Sequence, residues 1–226
     1  GNLNENTARY YGDHTLLTTN RAIIADINRI FDYIENPIRK ESSLKACKTL
    51  PVSPVNMRKV MLAGLTKQMR LAARKKPAAA IIKLNSLVDQ VLIDKIHLAA
   101  KTGVHVQMVI RGICCAHTSH KSYKGSLRAI SIIDDYLEHA RVMVFGAGTD
   151  RQVFISSADW MVRNLLPVTV LQRGEDVMID RHAFDSRTGR LVDRRVTVRG
   201  GRVRETPFSV LHLENMLRLA RAGAVI

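Results

Sequence analysis

Cysteine, aromatic residues and long apolar runs are all scarce in this sequence of 226 residues. Only three cysteines occur, Cys47, Cys114 and Cys115, and two of them are adjacent. They cannot form a disulfide framework, which favours a reducing compartment. No apolar stretch approaches the roughly 20 residues that a transmembrane helix needs, and the N-terminal segment Gly1–Glu5 is no signal peptide. We therefore expect a cytoplasmic protein without a transmembrane segment, with peripheral attachment to a membrane left open.

Positive charge is abundant and unevenly distributed. The chain has 35 Lys and Arg against 20 Asp and Glu, a formal net charge of +15. Such a surface attracts polyanions: nucleic acid, nucleotides, anionic membranes or polyphosphate. No lysine follows Lys124, so the positive charge of the last hundred residues is all arginine. Charge alone indicates a polyanionic partner, without saying which one, and a C-terminal region of different character.

Two helices are predicted in the first third of the chain. Thr19-Asn20 can cap a helix whose apolar positions Ile23, Ile24, Ile27, Phe31 and Ile34 share one face, and Asn36-Pro37 ends it. A second helix, roughly Val55–Arg74, has Ser53 as its expected cap.

The pattern then alternates between strands and a helix. A strand, a helix and a second strand follow one another at Ala78–Leu84, Val88–Lys101 and Val104–Ile110. This βαβ unit predicts a parallel pair of strands with a right-handed crossover. A further strand at Leu127–Ile133 and a hairpin joining Val142–Phe145 to Gln152–Ile155 complete the pattern. The fold class is therefore α/β, with a mixed sheet flanked by helices.

Polar side chains lie where these strands begin or end. Arg111 follows one strand, Ser156 and Ser157 follow another, and His139 and Arg141 lead into a third. Because α/β sheets place their chemistry at strand ends, these groups could converge on one anion, such as a phosphate. The alternative is a half-buried histidine and two solvated arginines, and the residues alone do not decide between the two.

Several segments also carry recognisable motifs. They are Gly1–Asp13 (GNLNENTARYYGD) continued by Leu16–Thr18, Lys83–Asp89 (KLNSLVD), Val109–Cys114 (VIRGIC), Leu137–His139 (LEH) and Ser156–Asn164 (SSADWMVRN). In order and spacing, these motifs resemble bacterial polyphosphate kinases, from residue 1 to about Leu165. The matching region is the C-terminal half of those enzymes, which resembles phospholipase D and has two similar subdomains facing each other across the active site.

The resemblance implies a domain organisation. Residues 1–18 correspond to the end of the first phospholipase-D-like subdomain, and residues 19–165 to the second, C-terminal subdomain. Residues 166–226 form a divergent, Arg-rich tail of uncertain fold. Within it, Val192–Arg204 alternates like a strand and Leu211–Ala222 could be an amphipathic helix.

The resemblance also implies an activity and roles for residues. These enzymes transfer the γ-phosphate of ATP reversibly to inorganic polyphosphate through a phosphohistidine, with Mg²⁺ accompanying the ATP. ATP, ADP and polyphosphate are the implied partners, and the full-length enzyme is expected to be a homo-oligomer without specific nucleic-acid binding. Tyr11 matches the tyrosine of the nucleotide site, Arg111 the arginine that holds phosphate, and His139 the second active-site histidine.

Further candidates occupy the positions of the phospholipase D motifs. His139-Ala140-Arg141 stands where His-x-Lys would, and Ser156-Ser157-Ala158-Asp159 where Gly-Ser-x-Asn would. Arg141, Ser156, Ser157 and Asp159 are therefore additional site candidates. The nucleophilic histidine of the family precedes the Gly-Asn-x-Asn motif, so we expect this chain to be inactive by itself.

Two other functions are consistent with parts of the sequence. A phospholipase-D-like phosphodiesterase is disfavoured because such enzymes need a histidine from each half, and a non-catalytic polyanion-binding module rests mainly on the net charge. Asn85 and Asp89 are expected to cap the crossover helix, with a lesser prospect that they line the site. Cys114, Cys115, His117 and His120 fit no ordinary zinc spacing, so no metal site is expected there.

Overall fold

The computed structural model describes residues 5–35, 41–133, 135–165, 168–173, 176–185, 190–199 and 202–209. The chain divides into two compact units, Gly1–Leu165 and Leu166–Ile226.

The first unit begins with helices, which are α1 (Glu5–Ala8), α2 (Arg21–Glu35), α3 (Glu41–Lys45) and α4 (Met57–Ala73). Helix α2 begins where the sequence predicts, since Asn20 Oδ1 accepts the backbone N–H groups of Ala22 at 2.9 Å and Ile23 at 3.3 Å. The predicted cap of α4 is wrong. Ser53 lies in a turn before the helix, and Asn56 Oδ1 accepts the N–H of Val52 at 2.6 Å across that turn.

A five-stranded mixed sheet follows, as the sequence predicts. Its elements are β1 (Ala79–Leu84), α5 (Gln90–Lys101), β2 (His105–Ile110), β3 (Leu127–Ile130), β4 (Arg141–Phe145), β5 (Gln152–Ser156) and α6 (Val162–Leu165). The strand order is β3-β2-β1-β4-β5. Strands β1, β2 and β3 are parallel neighbours, whereas β4 runs antiparallel to both β1 and β5. Strand β3 ends at Ile130 rather than at the predicted Ile133.

The core lies on the face of the sheet that α4 and α5 cover. Alternate residues of β1 and β2 are buried, and they pack in one cluster with apolar side chains of both helices, among them Met61, Leu65 and Ile96. On the opposite face, Ile81 is 43% and Val153 58% exposed. The alternation of the strands therefore gives a one-sided core in this unit.

A buried carboxylate, that of Asp26, links α2 to the segment after α3 by hydrogen bonds. Asp26 is 1% exposed, and its Oδ2 accepts the backbone N–H groups of Lys48, Thr49 and Leu50 at 3.0, 2.6 and 2.9 Å. Its Oδ1 accepts Nη1 of Arg29 at 2.6 Å. Burial acts to raise the pKa of this carboxyl, but the hydrogen bonds together outweigh burial and hold the pKa below its ordinary value.

The second unit contains an antiparallel meander of four strands, β6 (Val168–Arg173), β7 (Asp176–Asp185), β8 (Arg190–Arg199) and β9 (Arg202–Ser209). The strand-like alternation predicted over Val192–Arg204 falls on parts of two strands, β8 and β9. The helix predicted over Leu211–Ala222 lies outside the described residues.

Candidate functional site

The site is assembled by backbone pairing between two segments far apart in the sequence. The N–H of Leu137 donates to the carbonyl of Tyr10 at 2.6 Å, and the N–H of Gly12 donates to the carbonyl of Leu137 at 2.8 Å. A third bond joins the N–H of Ala140 to the carbonyl of Gly12 at 3.2 Å. This pairing brings the side chains of residues 11 and 13 against the side chain of residue 139.

His139 is held by three side chains. Its Nδ1 lies 2.9 Å from Oδ1 of Asp13, and its Nε2 lies 3.1 Å from Nη1 of Arg141. The ring of Tyr11 meets the imidazole edge-on, with 4.8 Å between centroids. A guanidinium can only donate, so Nε2 is the acceptor of that bond and Nδ1 carries the proton that is donated to Asp13. In the neutral imidazole, these partners therefore assign the proton to Nδ1.

Arg141 is committed mainly to Asp159. Its Nε donates to Oδ1 at 3.2 Å and its Nη2 to Oδ2 at 3.0 Å, a bidentate pair in which both residues are buried. Oδ1 of Asp159 also accepts the backbone N–H groups of Asn85 at 2.8 Å and Ser86 at 3.1 Å. The pair fixes the end of β1 to the start of β4 and leaves Nη1 of Arg141 to hold His139.

Arg111 lies at the end of β2, in a separate cavity of about 470 Å³ that Tyr10, Tyr136 and Glu138 also line. Ser131 Oγ donates to its carbonyl at 3.2 Å. Its Nη1 is buried and has no hydrogen-bond partner among the described residues. Arg111 itself lines the cavity, and a guanidinium at a cavity wall is suited to bind an anion such as phosphate.

The remaining candidates lie on the other side of the His139 segment. Ser156 and Ser157 line a cavity of about 260 Å³ together with Asp13, His14 and Arg141. Ser156 Oγ accepts the N–H of Ala158 at 3.0 Å, while Ser157 is exposed. Residues 137 and 138 line the larger cavity and residues 140 and 141 the smaller one, so the His139 segment runs from one cavity to the other.

The structure thus brings together only part of the expected cluster. Tyr11 and Arg141 contact His139 directly, whereas Arg111 and the two serines line separate neighbouring cavities. The catalytic and binding roles of all these residues stay predictions.

The sequence analysis did not single out Asp13 and Lys83, which lie beside His139, and it gave Asn85 only a lesser prospect of lining the site. Asp89 caps α5 as predicted, through the N–H of Leu92 at 2.9 Å. Asn85 does not cap this helix. Its Nδ2 donates to the carbonyl of His139 at 3.4 Å, and its Oδ1 is buried without a partner among the described residues. Its position directly after a strand, like that of Arg111, was the available signal.

The described residues do not fit a protein-held Mg²⁺. No group of three or more His, Cys, Asp or Glu side chains among them could hold a metal ion. The acidic groups near His139 are bonded to basic ones, Asp13 to His139, Glu138 to Lys83 and Asp159 to Arg141. Among the residues that the structure describes, no helix has the length and apolar character needed to cross a bilayer.

Two family models match the chain. The model of the polyphosphate kinase C-terminal domain 2 matches residues 50–178, more than half of the chain, and that of C-terminal domain 1 matches residues 1–40. The match extends past Leu165, where the recognisable motifs stop.

Individual proteins agree with the models. Polyphosphate kinase of Escherichia coli K12 is 41% identical over 165 residues, which are 73% of this chain and 23% of that protein. The enzyme of Vibrio vulnificus YJ016 is 39% identical over 186 residues, 82% of this chain and 26% of the relative. The chain thus spans about a quarter of the length of these curated relatives.

A solved structure agrees as well. The crystal structure of polyphosphate kinase from Porphyromonas gingivalis matches 98% of this chain and 28% of its own, with a TM-score of 0.65 and 28% identity. The sequence motifs, the mixed sheet and both family models agree, and the chain belongs to the polyphosphate kinase family, of which it represents the C-terminal region.

Proposed function

We propose that this chain forms the C-terminal part of the active site of a polyphosphate kinase, which transfers the γ-phosphate of ATP reversibly to inorganic polyphosphate. The observation that carries the proposal is the setting of His139. Its ring is held between a carboxylate, an aromatic edge and a guanidinium, beside a cavity with the unused, buried donor of Arg111. Phosphoryl transfer depends mainly on positioning and charge stabilisation, which these groups can supply.

In this proposal Arg111 binds a phosphate and His139 moves a proton. The guanidinium of Arg111 would donate to phosphate oxygens in the larger cavity. Nε2 of His139 carries the lone pair, which accepts Nη1 of Arg141 here. In this proposal an incoming phosphate displaces that donor, and Nε2 then accepts a proton from the incoming oxygen and returns it to the leaving one. The carboxylate of Asp13 would stabilise the imidazolium formed in between, and Tyr11 would contribute to the nucleotide site.

The covalent step is assigned to a different histidine. By resemblance, the phosphorylated histidine precedes the Gly-Asn-x-Asn motif, which is Gly1–Asn4 here. We therefore propose that the 226-residue chain alone makes no polyphosphate.

Incubation of the chain with Mg²⁺ and γ-labelled ATP tests this division of roles. Neither acid-labile label on the protein nor polyphosphate product is expected. Label that persists in a His105→Ala control but disappears in His139→Ala would make His139 the nucleophile and overturn the assignment. His105 is an exposed residue of β2 and serves as the matched control.

A further inference from the structure

Three successive carbonyl groups around His139 accept hydrogen bonds from one short motif. Nζ of Lys83 lies 2.8 Å from the carbonyl of Ala140 and 3.5 Å from that of Glu138. Nδ2 of Asn85 lies 3.4 Å from the carbonyl of His139 itself, which also accepts Nη1 of Arg141 at 3.1 Å. Side chains at the end of β1 therefore hold the carbonyls on both sides of the histidine, and they share its own carbonyl with Arg141.

The sheet explains why these two residues reach the segment. Strand β1 pairs antiparallel with β4, with Lys83 opposite Val142, so the end of β1 lies beside the chain that enters β4. Residues two apart on an extended chain face the same way, and Leu84 between them is buried in the core.

Residues 138–140 lie outside any strand, so their carbonyls need donors from elsewhere. Lys83 has a side chain only 18% exposed and Asn85 is 5% exposed, so both donors are largely shielded from competing water. An ion pair of 3.1 Å between Nζ of Lys83 and Oε2 of Glu138 further fixes the ammonium.

We propose that Lys83 and Asn85 are positioning residues of the active site. They fix the backbone of residues 138–140, and thereby hold the ring of His139 with Nδ1 on Asp13 and Nε2 on Arg141. Neither side chain bonds the imidazole itself, so both act through the backbone. The catalytic meaning of this arrangement rests on the proposed function of His139, whereas the arrangement can be measured without turnover.

The test reads the tautomer of His139 by nitrogen NMR of the chain labelled with ¹⁵N-histidine, its signals being assigned with His139→Gln. The wild-type chain should show His139 predominantly in the Nδ1–H form. Lys83→Met removes the donor but keeps the length of the side chain, and Asn85→Asp places an oxygen against the carbonyl of His139. In both variants His139 should lose its preference for the Nδ1–H form. Lys83→Arg, which retains donors, should remain closer to the wild type.

Two controls separate positioning from other effects. Glu138→Gln removes the ion pair but leaves the carbonyl bonds of Lys83, and Lys67→Met removes one exposed lysine from α4. Both should leave the His139 signals unchanged. Circular dichroism and thermal melting establish that each variant is folded.

The proposal is overturned if folded Lys83→Met and Asn85→Asp retain the wild-type His139 signals. It is also overturned if Glu138→Gln shifts those signals as much as Lys83→Met, because the ion pair would then set the ring. Should Lys83→Met fail to fold, Asn85→Asp decides the question by the same measurement. Absence of kinase activity in any of these chains would concern the proposed function and leave the NMR result standing.

Discussion

At the residue scale, Arg111 lines a cavity, and one of its guanidinium donors is buried without a partner among the described residues. A phosphate in this cavity that accepts a hydrogen bond from the guanidinium gains about 1.5–3 kcal/mol, since the bond is charge-assisted. Arg111→Gln should therefore weaken binding of ATP or tripolyphosphate about tenfold or more, since about 1.4 kcal/mol corresponds to a factor of ten. Isothermal titration calorimetry of the chain measures this change.

The control for Arg111 is another arginine of the same sheet. Arg128 is an exposed residue of β3 and does not line the Arg111 cavity. Arg128→Gln removes the same charge and should reduce affinity only slightly. Equal losses in the two variants would mean that the nucleotide is attracted by diffuse charge and that Arg111 has no particular role.

Asp26 is a second residue with a definite expected effect, here on stability. Asp26→Asn replaces a buried carboxylate that accepts three backbone N–H groups and one guanidinium bond. The loss should be about 3 kcal/mol at neutral pH, because hydrogen bonds to a charged group each contribute about 1.5–3 kcal/mol and the amide retains one acceptor oxygen. Denaturant unfolding of both chains gives the difference.

The difference between these two chains should also depend on pH. The pKa of Asp26 in the folded chain lies below its ordinary value of 3.8, so the folded state binds fewer protons than the unfolded state near this pH. Its stabilisation is therefore complete above the unfolded value and is lost as the pH falls through the folded one. Asp150→Asn, at an exposed site, removes the same charge and is the matched control. A difference that stays constant down to low pH would contradict the assignment.

At the scale of elements, the contact between α4 and β4 depends on a glycine. A Cβ at Gly64 would lie 2.7 Å from Cδ2 of Phe145, whose ring is buried and cannot swing into solvent. Alanine normally stabilises a helix interior by about 1 kcal/mol over glycine, whereas overpacking a core costs about 1–3 kcal/mol. Gly64→Ala should therefore lower the melting temperature.

A neighbouring position tests the same helix without the contact. Ala63 is exposed on α4, so Ala63→Gly should lose only the helix propensity of alanine, about 1 kcal/mol. In the double variant Gly64→Ala/Phe145→Leu the smaller side chain should relieve part of the Gly64→Ala loss. If Gly64→Ala alone stabilises the chain, the close packing of α4 on β4 is not as described.

The elements that the sequence predicts well are those set by neighbouring residues. The Asn20 cap, the βαβ unit and the β4–β5 hairpin each follow from a local pattern and are confirmed. The Ser53 cap is wrong because α4 begins only at Met57, after the local turn that contains Ser53.

The candidate site shows what local sequence patterns do not predict. The motifs mark His139 and Arg141, but the contact of Asp13 with His139 joins residues 126 positions apart. That contact depends on how residues 10–12 pair with 137–140, and no local periodicity contains this information. The hold of Lys83 and Asn85 on the same segment likewise depends on the antiparallel register of β1 and β4.

At the scale of the whole molecule, the net charge of +15 sets a background against which specific binding must be judged. Binding by counterion release alone weakens steeply with salt and depends on charge density rather than on the chemistry of the polyanion. A kinase site built on Arg111 and His139 instead requires phosphate groups that enter its cavities. The two interpretations differ in how the choice between polyanions changes as salt is raised.

Competition between long-chain polyphosphate and single-stranded DNA of equal total charge, measured by fluorescence anisotropy over a salt series, distinguishes them. At low salt both polymers should bind, because the basic surface attracts either one. As salt rises, polyphosphate should be retained more strongly than DNA by the wild-type chain, and Arg111→Gln should lose part of that preference. His139→Ala should leave the salt dependence of DNA binding unchanged, since that binding uses the surface charge and not the ring. Equal retention of the two polymers at every salt concentration, unaffected by Arg111→Gln, would favour a non-catalytic polyanion-binding module over a kinase site.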